Sequence, residues 1–418
     1  MTKSSRIFLI VFLAWVVVCL LGALPYYCSG YIPDFSDAVF ESVSGFTTTG
    51  ATVLRDIELL PRPLLFWRSL TQWLGGMGVV LLTVALLPLL GAGGFQFVNT
   101  RAPGPDAEKI TPRITLTARM LWLVYVGLTV MQTLLLRCFG MNWFDALIHS
   151  FSTMSSGGFS SRNYSIAAFN SPAIEWVCVV FMFLAGFNFL LIWQTLRGKF
   201  RELTRNSEAK VYAAIVIIAS LIIAIAILPV SSSFGAAIRN GFFNTVSVIS
   251  TTGLANTNTG SWPALAQAVV FVLMFLGGCS GSTAGGIKIV RYVILAKQAG
   301  NEMKKLIYPW GVFNIRVDGK KGKKNVVFGV AGFVCLYLLL VFLAALFVSS
   351  AGEDVFTSLN ASLLCLGNIG LGLGKMGPFM AFPAYPAYVK WGLSFVMLLG
   401  RLELWTVLIF ITRDFWRK

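Results

Sequence analysis

Long and short apolar runs alternate along this chain in a repeating order. Ile7–Tyr27 is apolar throughout, and at 1.5 Å rise per residue it covers a hydrocarbon core of roughly 30 Å. Pro33-Asp34-Phe35-Ser36-Asp37 then offers capping side chains to a short segment, Ala38–Phe46, that is too short to cross. That segment ends in Ser44–Thr52, where two glycines and four threonines in nine residues disfavour a continuous helix. A second long run, Leu64–Leu90, completes a unit of long helix, short re-entrant helix, polar loop and long helix.

The unit recurs three times. In the second, Ala118–Phe139 spans, Phe144–Met154 re-enters, Ser155–Ser161 is the loop and Pro172–Leu196 spans back. The third runs through Val211–Val230, Ala236–Ile249, the Thr251-Thr252-Gly253 loop and a span from Pro263 that is interrupted at Gly277–Gly286 (GGCSGSTAGG). The fourth comprises Val326–Ser349, Val355–Cys365, the Asn368-Ile369-Gly370 loop and Ala384–Thr412. Stacked on one glycine, the loops align at Gly50, Gly157, Gly253 and Gly370, about a hundred residues apart. The resulting divisions are 1–92, 117–198, 211–298 and 325–418, with polar connectors at 93–116 and 199–210 and a basic segment at 299–324. Within that segment Val312–Val317 alternates like a strand before an Asp318-Gly319 turn, predicting a small hairpin.

Composition makes this architecture a membrane one. Hydrophobic residues form 56% of the 418, charged residues only 12%, and mean hydropathy is +0.77. The net charge of +16 could suggest a nucleic-acid partner, but the lysines and arginines sit in blocks between apolar runs, as in cytoplasmic loops. The charge therefore predicts topology: eight spans, N- and C-termini cytoplasmic, four parallel units and no nucleic-acid partner. Seven scattered cysteines without a CxxC pair, and a single histidine, argue against a zinc site, a haem-linked redox chain or a disulfide framework. Nothing suggests an enzyme or a tightly bound cofactor.

A helix that re-enters from outside points the negative end of its macrodipole at the membrane centre, which favours a cation. Four extended loops with carbonyls facing one axis would replace the hydration shell of a monovalent ion. Asp34, Asp37, Glu41, Asp56, Glu58, Asp145, Glu353 and Asp354 fall on the external side and would either raise local cation concentration or cap the short helices. Within the membrane, Arg401 and Glu403 are nearly the whole ionisable set, with Lys390 and Arg137 near span ends. Rival readings are a redox or proton-pumping subunit and a secondary transporter of an organic solute. The first lacks paired histidines and buried carboxylates, and the second commonly has inverted repeats.

These residues resemble the Trk/Ktr/HKT superfamily of potassium transporters, in particular its bacterial Trk-type membrane subunit. The resemblance rests on SGFTTTGA at Ser44–Ala51, WRSLTQWLGGMG at Trp67–Gly78, APGP with EKITPRI at Ala102–Ile114, HSFSTMSSGGFS at His149–Ser160, STTGL at Ser250–Leu254, GGCSGSTAGGIK at Gly277–Lys288 and GRLEL at Gly400–Leu404. It implies an all-α integral membrane fold of four repeats around a pseudo-fourfold pore, eight spans and four re-entrant helices. It implies a potassium filter at Thr48, Thr49, Gly50, Ser155, Ser156, Gly157, Thr251, Thr252, Gly253, Asn368, Ile369 and Gly370. The ion would meet backbone carbonyls of Thr48, Thr49, Ser155, Ser156, Thr251, Thr252, Asn368 and Ile369. It further implies a gate built from Gly277, Gly278, Cys279, Ser280, Gly281, Ser282, Thr283, Ala284, Gly285, Gly286 and Arg401. A homodimer in the bacterial cytoplasmic (inner) membrane on a cytosolic ring of nucleotide-binding regulatory subunits, with lipid around it, is the implied assembly. Gly50, where sodium-passing relatives carry serine, favours potassium; a sodium-permeable or weakly selective cation pathway and a secondary solute transporter are the alternatives. Two features depart from the pattern: the chain opens directly on the first unit, as a shorter variant or truncated form would, and Asn368 and Ile369 replace hydroxyl residues in the fourth loop.

Overall fold

The computed structural model describes residues 3–90, 110–318, 320, 321, 324–377, 382 and 385–416. The connector expected at 93–116, with Arg101 and Lys109, lies largely outside them. Among the described residues the fold is helical apart from one two-stranded ribbon.

The first unit is α1 (Lys3–Cys28), α2 (Phe35–Phe46) and α3 (Arg62–Leu90). The second is α4 (Ile110–Cys138), α5 (Trp143–Met154), α6 (Pro172–Ala185) and α7 (Phe189–Leu196), followed by the short α8 (Phe200–Arg205). The third is α9 (Ser207–Ile227), α10 (Phe234–Ile249), α11 (Ala264–Leu273) and α12 (Ile289–Ile307). The fourth is α13 (Lys324–Ser349), α14 (Val355–Gly367), α15 (Ala387–Arg401) and α16 (Leu404–Leu408), closed by α17 (Arg413–Trp416).

The leading helix of every unit contains a stretch long and apolar enough to cross a membrane: Phe8–Cys28, Leu116–Cys138, Ser207–Val230 and Val326–Ser349. Each short helix starts on a side chain that accepts a backbone N–H: Asp34 from Ser36, Asn142 from Asp145, Ser233 from Ala236 and Asp354 from Thr357. All four are buried along most of their length, so the long helices form a coat around the short ones.

The returning helices are less regular than the sequence predicts. Pro172–Leu196, expected as one span, turns by 103° at Gly186-Phe187-Asn188, and Asn188 Oδ1 accepts from Leu190 and Leu191 N–H to start α7 afresh. The expected run Ala384–Thr412 stops at Arg401, where Glu403 takes a left-handed φ of 66° before α16 begins. In the third unit no helix joins Leu273 to Ile289, and the glycine-rich segment lies in that gap. The predicted hairpin is a smaller ribbon than Val312–Val317 suggests: Arg316 pairs with Lys321 and Val317 with Lys320. Asp318 at its turn accepts from Ser207 N–H at 2.7 Å and Asn206 Nδ2 at 3.2 Å, tying the ribbon to the start of α9.

Candidate functional site

Four short helices end in the same turn. Each turn holds one left-handed residue: Thr48 (φ 52°), Ser156 (54°) and Thr251 (56°) directly after the cap, and Asn368 (51°) as the cap itself. The next N–H reaches back five residues, from Thr49 to Ser44 O, Gly157 to Ser152 O, Thr252 to Ser247 O and Ile369 to Leu364 O, at 2.9, 2.9, 2.9 and 3.0 Å. This is the closing bond of a Schellman turn. A left-handed backbone at a threonine is disfavoured, so its recurrence marks a conformation that the surroundings impose.

These turns fix which residues are equivalent. Counting from them, the matching glycines are Gly50, Gly158, Gly253 and Gly370, so the second loop is offset by one from the alignment on Gly157. Ser155 caps α5 just as Thr47 caps α2 and Ser250 caps α10, and the partners of Thr48 and Thr49 are Ser156 and Gly157. The carbonyl pair expected at Ser155 and Ser156 moves accordingly to Ser156 and Gly157. Gly50, Gly158 and Gly253 are left-handed, with φ of 80°, 76° and 76°.

The loops meet in a closed ring. A Cβ on Gly50 would stand 2.2 Å from the Gly157 carbonyl oxygen, and one on Gly158 would stand 2.0 Å from that of Thr252. One on Gly253 would lie 2.3 Å from Gly370 Cα, and one on Gly370 would lie 3.2 Å from the Thr49 carbonyl oxygen. Loop one thus abuts two, two abuts three, three abuts four and four returns to one. Three of these junctions repeat the same motif, a glycine against the carbonyl of the residue preceding its neighbour's glycine. A side chain there would push the loops apart. Where the chain leaves the ring, a cavity of about 50 Å³ is lined by Gly50, Gly158, Gly253 and Gly370, with Arg68 at its wall.

Several groups that hold the ring were not apparent as such in the sequence. Arg68 on α3 and Glu41 on α2 form a fully enclosed ion pair, 1% and 0% exposed, at 2.8 Å. Arg68 also donates to Ser160 O at 3.2 Å and lies 4.0 Å above the Phe159 ring, while Glu41 accepts from Thr52 Oγ1 and Val53 N–H at 3.0 Å. Gln72, one turn further along α3, donates to Gly157 O at 2.7 Å and accepts from Phe159 N–H at 3.1 Å. Glu175 on α6 pairs with Arg239 on α10 at 3.0 Å and accepts from Asn256 beyond the third loop. Lys390 on α15 meets Asp37 on α2 at 2.5 Å. Asn368 donates to Thr49 Oγ1 at 2.9 Å, joining loops four and one.

Two expectations about charge need correction. The ionisable set within the helical body extends beyond Arg401 and Glu403 with Lys390 and Arg137 near span ends, because Arg68, Glu41, Glu175 and Glu208 are buried as well. The acids near the loops are mostly engaged rather than free: Asp34 and Asp354 cap helices, Asp37, Glu41 and Asp145 sit in ion pairs, and Glu353 pairs with Lys375. Asp56 accepts from Asn163 Nδ2 and Glu58 from Asn163 N–H, so these two staple the first and second units together.

The segment between α11 and α12 packs against the ends of α5, α10 and α14. Gly277 N–H meets Ile287 O at 2.9 Å, closing the segment at its base, and Cys279 N–H meets Gly186 O at 2.8 Å, seating it on the bend between α6 and α7. Glu208 holds Ser280 N–H at 2.7 Å and Val290 N–H at 3.2 Å. Gly281 O accepts from Phe189 N–H, and the Ser282 hydroxyl donates to Cys279 O. Thr283 Oγ1 donates to Met154 O, the last carbonyl of α5, at 3.0 Å. Gly285 N–H donates to Thr251 Oγ1 at 2.7 Å, and a Cβ on Gly285 would stand 2.4 Å from Gly367 O. Gly278, Ala284 and Gly286 complete the packing, Gly278 against Gly186 and Ala284, and Ala284 O accepts from Lys288 Nζ. Arg401 Nη1 donates to Thr283 O at 2.8 Å, while its Nε and Nη2 meet no hydrogen-bond partner among the described residues. Glu403 is not its partner, being paired instead with Arg291 at 2.5 Å.

Known proteins are similar to this chain over nearly its whole length. Trk system potassium uptake protein TrkH of Halomonas elongata is 42% identical over 98% of this chain and 86% of its own. The protein of the same description from Escherichia coli (strain K12) is 38% identical over 100% and 87%. The crystal structure of the potassium transporter TrkH from Vibrio parahaemolyticus superposes with a TM-score of 0.90 at 36% identity, covering 99% of this chain and 86% of that one. Residues 2–417 match the TrkH family, described as cation transport protein, and the chain belongs to that family of membrane transport proteins, which are not enzymes.

Proposed function

We propose that this chain takes up potassium across the bacterial cytoplasmic membrane through the ring of four loops. The observation that carries the reading is the ring itself: four helix ends closed by the same five-residue turn, whose glycines pack against the neighbouring loops, three of them against a backbone carbonyl. Four short helices ending there direct the negative ends of their dipoles at a cation, and backbone carbonyls at the ring replace its water. Named transport of potassium by relatives similar over their length supports the choice of ion. The coordinating carbonyls are those of Thr48, Thr49, Ser156, Gly157, Thr251, Thr252, Asn368 and Ile369, with Gly50, Gly158, Gly253 and Gly370 permitting close approach.

The segment 277–286 and Arg401 form the gate. Hydrogen bonds from this segment to Met154 O and Thr251 Oγ1, and from Arg401 to Thr283 O, support a plug directly under the loops. A guanidinium with two unpartnered nitrogens at that depth opposes a cation electrostatically. The termini are cytoplasmic, and the protein works as a homodimer with lipid around it on a cytosolic ring of nucleotide-binding regulatory subunits. Flux of potassium, rubidium and sodium into liposomes containing the purified protein tests the reading. Potassium and rubidium entering well ahead of sodium is expected; equal entry of sodium favours a weakly selective cation pathway, and no entry of any of the three overturns the proposal.

A further inference from the structure

We propose that Gln72 is a positioning residue that supplies, from the first unit, the side chain the second loop lacks, and that it thereby sets the Gly157 carbonyl for ion selection. The inference rests on the reading of the ring as a potassium filter. Loops one and three carry threonine after the left-handed residue, and each threonine hydroxyl meets that of its helix cap: Thr49 with Thr47 at 2.8 Å, and Thr252 with Ser250 at 2.7 Å. In the second loop the equivalent residue is Gly157, and the Ser155 hydroxyl turns back to Ser152 O instead.

Conformation does not demand a glycine at 157. Gly158, beside it, has a φ of 76°, whereas Gly157 is not among the left-handed residues. Space does demand it. A Cβ on Gly157 would stand 2.4 Å from Gln72 Cδ and 2.7 Å from both Nε2 and Oε1, and no other group comes nearer. The Gln72 amide fills the volume that a threonine side chain fills in loops one and three, and hydrogen-bonds Gly157 O and Phe159 N–H on either side of Gly158. In the fourth loop Ile369 fills the place with its own apolar side chain, which packs beside Gly367. Gly157 O is one of the carbonyls that abut the neighbouring glycine, so the bond from Gln72 Nε2 holds one ligand of the ring from behind.

A replacement and a swap test this. Gln72→Leu keeps much of the bulk but removes both hydrogen bonds, and the ratio of potassium to sodium flux in liposomes is expected to fall about fivefold, the order of one lost hydrogen bond at a ligand oxygen. Gly157→Thr alone is expected to abolish flux by driving its side chain into the amide. Gly157→Thr with Gln72→Ala returns the side chain to the loop itself and is expected to recover flux and a ratio within about twofold of the parent, since the new hydroxyl can meet that of Ser155 as Thr49 meets Thr47 and so brace the turn from within. An unchanged ratio in Gln72→Leu, or a double variant no better than Gly157→Thr, overturns the assignment; the swap decides even if Gln72→Leu does not fold. If the parent protein itself fails to distinguish potassium from sodium, the filter reading has failed; if it discriminates and Gln72→Leu discriminates equally, only the role of Gln72 has.

Discussion

Replacing Arg68 by leucine should destabilise the ring region more than any surface change, for reasons visible in its contacts. The guanidinium donates through Nε to Glu41 with Nη2 2.8 Å from the same carboxylate oxygen, donates once to Ser160 O, and covers Phe159. Leucine removes all of these and leaves a carboxylate with no exposure. Removing one partner of a buried pair costs about 3–5 kcal/mol. Glu41 keeps its bonds from Thr52 and Val53, which prevents complete loss of its partners and places the expectation near the lower end, about 3 kcal/mol. Replacing both residues, as Arg68→Leu with Glu41→Leu, removes the uncompensated charge as well as the attraction, so the double variant should recover part of the loss. Thermal unfolding in detergent, read as the surviving monodisperse fraction by size exclusion, gives the order: parent highest, double variant next, Arg68→Leu lowest. An Arg68→Leu protein as stable as the parent, or a double variant losing the full sum of the two singles, would refute the view that this pair is a coupled brace behind the loops.

Two other outcomes follow from the same geometry. Arg401→Ala removes the guanidinium that holds Thr283 O and should raise potassium flux through the purified protein alone, and flux unchanged in every state tested would count against the gate. Gly158→Ala places a methyl 2.0 Å from the Thr252 carbonyl, a backbone group, on a left-handed backbone, whereas a methyl at Gly157 meets the Gln72 side-chain amide, which can withdraw at the cost of its two hydrogen bonds. The left-handed backbone alone costs about 1–2 kcal/mol, so Gly158→Ala should lose more flux and selectivity than Gly157→Ala, with the reverse order contradicting the structural register.

Much of this arrangement is legible in the sequence because local chemistry decides it. Short apolar runs that end in glycine-containing turns become helices stopping within a residue or two of expectation, started in the structure by the caps Asp34, Asn142, Ser233 and Asp354. The glycine density of 277–286 likewise announces that no helix will pass through it. The bend at Gly186 and the stop at Glu403 are less visible. A single glycine or charged residue in an apolar run is compatible with a straight helix, and only packing of the 274–288 segment against Gly186 gives the bend a reason.

The register of the second loop shows a different limit. Gly157 and Gly158 are adjacent, so either can be stacked on Gly50, and backbone angles rather than residue types choose between them. Partners on different helices are also hidden. Glu41 reads as an external acid and Arg68 as one residue in a motif, because a one-dimensional pattern does not reveal that a helix in the same unit brings the charges to 2.8 Å. Asp37 and Lys390 are more than three hundred positions apart, and only closure of the fourth unit onto the first joins them.

Locating a bound ion tests the central claim most directly. Crystals grown with thallium or rubidium in place of potassium would report its position by anomalous scattering. Density on the centre shared by Gly50, Gly158, Gly253 and Gly370, within coordination distance of carbonyl oxygens from all four loops, is the predicted result. Density only at the surface, or beside a single loop with the shared centre empty, would contradict it.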